Sequence, residues 1–134
     1  MRRTRIFGLA IAASLLPSTM FAQGGHDHSH AGAALGEVHF PVACTPEAQA
    51  AFDAAMKLQH SFWYQAAAEA FQGVRQRDPG CVMAYWGEAM ALLVNPFTVT
   101  TAQNLRKGRE LLAEARRIGA RNEREAGFIA ALSE

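Results

Sequence analysis

The chain has 134 residues, half of them hydrophobic and 19% charged, with thirteen basic against twelve acidic side chains. That length holds one domain. So even a charge balance gives no case for nucleic acid or for an anionic membrane surface, both of which need clustered positive charge.

Residues 1–22 begin with Arg2, Arg3 and Arg5, continue through an apolar run from Ile6 to Leu16, and reach Pro17, Ser18 and Met20-Phe21-Ala22. The run is too short to span a bilayer, and this arrangement predicts a secretory signal peptide cut after Ala22. No cysteine follows the run, which argues against a lipoprotein. The expectation is an exported protein, periplasmic or secreted, with no stable membrane insertion once the leader is removed. Removing three arginines leaves ten basic residues against twelve acidic ones, a net of −2 with neutral histidine.

Residues 23–44 read as a flexible segment rich in Gly, Ala and His, with Glu37 to Ala43 extended, as a short approach strand or coil. His26, His28 and His30 alternate there. Neutral imidazoles at that spacing can bind Zn, Cu or Ni weakly, with Asp27, His39 or water as a further ligand. No other cofactor is expected.

Thr45-Pro46-Glu47 supplies a cap, a first-turn proline and an early acid, and predicts a helix from there to about Gln59. A second helix opens near Ser61, carries Tyr64, Ala67, Phe71 and Val74, and stops at Asp78-Pro79. A third begins near Val82 and fades at Asn95-Pro96. A fourth runs from about Ala102 to Ile118, with Leu105, Gly108, Leu112 and Ala115 on one face. Gly119 ends it, and Asn122 with Glu125 predicts a capping box for a fifth. The fold class is all-α. Cys44 and Cys81 fall in the exported part and are most simply one disulfide, with two buried or reactive thiols as the alternative.

The helices recur with a period. Ala51, Ala55 and Leu58 map onto Tyr85, Ala89 and Leu92 at an offset of 34. Ala67, Phe71 and Val74 map onto Gly108, Leu112 and Ala115 at 41, and Tyr85 and Ala89 map onto Ala126 and Ala130 at the same offset. The excess of seven is the insertion Asn95 to Thr101. A helical hairpin of about 34 residues is the unit of tetratricopeptide repeats. Over Glu37 to Glu134 the chain resembles the N-terminal part of an exported bacterial tetratricopeptide-repeat (TPR) protein. Ala67, Phe71, Asp78 and Pro79 fall where that repeat has its small, aromatic and helix-ending residues. The resemblance implies a right-handed solenoid of about two and a half hairpins over residues 45–134. Ala51 and Ala55 depart from the repeat's usual aromatic and glycine. Families of this kind share a fold but no chemistry.

The resemblance places the first helix of each unit on a concave face. The residues falling there include Gln49, Phe52, Met56, Gln59 and His60, then Met83, Trp86, Met90 and Leu93. Such a face suits a peptide helix or extended segment, with Trp86 as anchor and no basic residue to clamp a carboxylate. The same spacing serves equally for ordinary core packing. Phe52, Met56, His60, Met83, Trp86 and Met90 are the candidate contacts for a protein or peptide partner. His60, with Asp53 or Glu88 as orienter, reads as a capping or packed histidine, and no nucleophile elbow, phosphate loop or paired helical histidines occur. The expectation is a non-catalytic binding module. The alternative is a periplasmic metal-handling protein that collects its ion on the His-rich segment. Phe128, Ile129 and Leu132 on the last helix lack an expected cover, which self-association or further repeats would supply.

Overall fold

The computed structural model describes residues 35–134. The expected leader and His26, His28 and His30 lie outside the described residues. Five helices follow one another: α1 Pro46–His60, α2 Tyr64–Arg77, α3 Val82–Leu92, α4 Ala102–Ile118 and α5 Glu123–Leu132. No strand occurs among the described residues, so the all-α expectation holds.

The helix starts follow from side-chain caps. Thr45 Oγ1 accepts from the Ala48 N–H, Thr101 Oγ1 from Asn104 and Asn122 Oδ1 from Glu125, each satisfying a donor that has no partner within its helix. Gly119 ends α4 at φ 91°, a backbone state that glycine adopts without a Cβ clash. The second helix starts at Tyr64 rather than near Ser61, because Phe62 turns the chain through a left-handed φ of 62°. The capping box at α5 forms only in half. Asn122 caps as expected, but the Glu125 carboxylate turns away to accept from the Ala43 N–H at 2.6 Å.

Each helix packs on the next in sequence, and α3 also touches α1 and α5. The odd-numbered helices therefore lie side by side, with α3 central. Eight consecutive residues, Val82 through Ala89, and then Ala91 after the half-buried Met90 show why: α3 is buried nearly all round. Ala67, Phe71 and Val74 on α2 and their counterparts Gly108, Leu112 and Ala115 on α4 are all buried, so equivalent positions of the two hairpins do equivalent work. Gly87 lets α3 approach α2 closely; a Cβ there would stand 2.5 Å from the Phe71 ring. Ala126 and Ala130, the third set in the period, are exposed.

Ion pairing reinforces the same centre. The Glu88 carboxylate of α3 is 1% exposed and receives Arg75 of α2 at 2.6 Å and Lys107 of α4 at 2.9 Å. A buried carboxylate of this kind requires such partners, since removing one would leave an uncompensated charge.

Candidate functional site

The stretch 35–44, grouped from sequence with the flexible segment, packs on the helical unit. Val38, Phe40, Val42 and Cys44 lie against the core. The Phe40 ring bridges all three odd-numbered helices, with centroids 5.7 Å from Phe52 of α1, 5.9 Å from Trp86 of α3 and 5.5 Å from Phe128 of α5. Its plane is near parallel to the Trp86 indole, the interplanar angle being 20°. The Arg124 guanidinium covers the outer side, 4.5 Å from the Phe40 centroid and 5.1 Å from that of Phe128. Offset aromatic stacking and a cation over the ring face each add to the burial of the ring.

Side chains of the helices also hold the backbone of this extended stretch. Gln49 of α1 donates its amide to the Phe40 carbonyl at 2.9 Å and accepts from the Val42 N–H at 2.8 Å. A carboxamide carries one acceptor and a donor group, as a peptide unit does, so Gln49 pairs with the segment much as a neighbouring strand would. Asp53 accepts from the Phe40 N–H at 3.0 Å and from His39 Nδ1 at 2.9 Å. At the α5 side Glu125 takes the Ala43 N–H, Arg121 donates to the Ala43 carbonyl at 2.8 Å and Arg124 to the Pro41 carbonyl at 2.7 Å. Apart from the Val42 carbonyl, which accepts from the Cys44 N–H at 2.9 Å, the polar backbone groups of residues 40–43 are thus met by side chains, which is what allows an irregular segment to lie on a core.

Electrostatics favour the arrangement. Burial works to raise the Asp53 pKa, but the hydrogen bonds from the Phe40 N–H and from His39 outweigh it and hold the carboxyl below its ordinary 3.8. The far end of the segment is fixed covalently. The Cys44 and Cys81 sulfurs are at bonding distance, 2.07 Å, with Cα atoms 4.9 Å apart, so the pair expected from sequence meets in space. Beside it the Thr45 N–H donates to Asp78 at 2.9 Å.

The sequence-derived contact residues fall in three places. Phe52 and Trp86 form the floor under Phe40 and are 0% and 7% exposed. Met56 and Met83 are buried in the core. Met90 is half-buried and His60 is exposed at the end of α1. They do not make one bare patch, because the chain's own segment lies over its centre. Neither suggested orienter serves His60: Asp53 is engaged by His39 and Glu88 by Arg75 and Lys107. The three uncovered residues of the last helix are also engaged. Ile129 is 3% exposed, Phe128 packs tilted against Trp86 and Phe40, and Leu132 is half-buried.

Phe40, Arg121 and Arg124 were missed as site residues. The period-two alternation of Val38, Phe40 and Val42 was the available signal for the first. Both arginines lie at the α5 side and donate to backbone carbonyls of the segment. Among the described residues no three His, Cys, Asp or Glu side chains gather as a metal site. Two open grooves lie elsewhere, one of about 450 Å³ between α4 and α5 and one of about 320 Å³ over Glu88 and Lys107. In comparisons with protein-family models, curated proteins and solved structures, nothing matches this chain.

Proposed function

We propose that this chain is an exported, non-catalytic helical-repeat module that holds polypeptide in extended form on the α1–α3–α5 face. The observation that carries the reading is the resident segment itself. Gln49, Asp53, Glu125, Arg121 and Arg124 meet the backbone of residues 40–43, while one aromatic slot takes a side chain. Main-chain hydrogen bonds supply hold and a side-chain pocket supplies choice, as in other modes of extended-peptide recognition. The period of about 34 residues supports a TPR-like right-handed stacking of the hairpins. The cysteine pair at bonding distance supports folding in an oxidising compartment, and no helix among the described residues is long and apolar enough to cross a membrane.

The resident segment must be loosened before another peptide can enter. A tethered ligand acts at an effective concentration of order millimolar, so a free peptide competes poorly with it. The full oxidised chain carrying Phe40→Ser and Val42→Ser should therefore take up extended peptides that carry an aromatic residue, read by tryptophan fluorescence, while the unsubstituted chain does not. A variant that keeps its helical circular dichroism and takes up none of them would remove the reading.

A further inference from the structure

The resident segment presents more than a backbone. His39 immediately precedes Phe40, and its Nδ1 meets an Asp53 oxygen at 2.9 Å while the ring of Phe40 enters the slot of Phe52, Trp86 and Phe128. Two adjacent side chains in extended backbone point to opposite sides, so one engages the carboxylate on α1 as the other fills the slot. Pro41 follows, and its lack of an N–H costs nothing here, since its carbonyl alone is used, by Arg124. The site is therefore selective at two consecutive positions. Its aromatic slot has a cationic lid in Arg124, which favours the electron-rich face of a ring over an aliphatic side chain. Its neighbouring subsite carries a carboxylate.

Resting on the proposed peptide-holding role, we infer that the partner class of this face is an extended segment with a basic residue directly before an aromatic one and a proline permitted after it. Lys and Arg offer Asp53 a charged N–H donor, and His a ring N–H donor, as His39 does. An acidic residue there would set two carboxylates against each other, and an alanine in place of the aromatic ring would leave the slot and the Arg124 lid without a ligand.

The test uses the full oxidised chain with Phe40→Ser and Val42→Ser, titrated with blocked peptides of sequence His-Phe-Pro-Val-Ala, Lys-Phe-Pro-Val-Ala, Glu-Phe-Pro-Val-Ala and His-Ala-Pro-Val-Ala. The first two should bind, the glutamate peptide about fivefold more weakly, and the alanine peptide at least about tenfold more weakly. Asp53→Asn added to the protein should abolish the difference between the histidine and glutamate peptides and leave the aromatic preference intact. Equal binding of all four peptides would overturn the assigned partner class while the peptide-holding role stood. Binding of none, in a variant with native helical circular dichroism, would overturn the role itself. Should the double variant lose its helices, Phe40→Ser alone, which withdraws the ring from the slot and keeps Val42 on the core, goes through the same titrations with the same criteria.

Discussion

Two irregular stretches of this molecule have similar composition and opposite fates. His39-Phe40-Pro41-Val42 lies on the odd-numbered helices with its ring in an aromatic cluster, whereas Asn95-Pro96-Phe97-Thr98-Val99 stands in solvent with Phe97 and Val99 each 95% exposed. Hydrophobicity does not separate them; backbone hydrogen bonding does. The loop after α3 satisfies itself. Asn95 accepts from the Phe97 N–H through its side chain and from the Thr98 N–H through its carbonyl, and Thr100 returns a hydroxyl to the Leu92 carbonyl. Such a turn needs no surface to lie on. In residues 40–43 the Val42 carbonyl alone is met locally, by the Cys44 N–H, and the other polar groups are met by Gln49, Asp53, Glu125, Arg121 and Arg124. A segment docks where a face carries both the apolar slot and the matching polar side chains.

Breaking the covalent end of the docked stretch should show the contrast most strongly. Cys44→Ser with Cys81→Ser opens a link between residues 37 apart in sequence, and chain entropy puts the loss at about 4 kcal/mol in denaturant unfolding. Phe40→Ala comes next. It empties a half-buried slot and removes three ring contacts, for an expected loss of about 2 kcal/mol in the same assay and a shifted Trp86 emission.

Acid should act on the docked stretch through Asp53. Its carboxyl is held below 3.8, so the stability it contributes is complete above that value and disappears as pH falls through the lower folded value. Salt-corrected acid titration of Trp86 fluorescence should show this step in the parent chain and not in Asp53→Asn. The smallest effect belongs to the exposed loop. Phe97→Ser with Val99→Ser should change unfolding stability by no more than about 0.5 kcal/mol; a loss as large as that of Phe40→Ala would show that the loop is docked too.

Much of the helical frame was legible in local chemistry. Thr45-Pro46 and Gly119 mark helix ends because a cap and a left-handed glycine act over a few residues. Ala67, Phe71 and Val74 read as core because helical spacing alone puts them on one face. The site was less legible. Phe52 and Trp86, expected as contacts for a partner, lie under the chain's own Phe40. Glu125 looked like half of a capping box because its partner there is local, whereas Ala43 lies 82 residues away. Arg121 and Arg124 carry no periodic signal, and only the packing of α5 beside α3 brings them to residues 41 and 43.

The account stands on residues 40–43 being held by the odd-numbered helices. Amide hydrogen exchange in the full oxidised chain, resolved by residue, tests it directly. The account predicts that the Phe40, Val42 and Ala43 amides, which donate to Asp53, Gln49 and Glu125, exchange slowly, far more slowly than that of Val99. Exchange of all three at the rate of an unstructured peptide would contradict it.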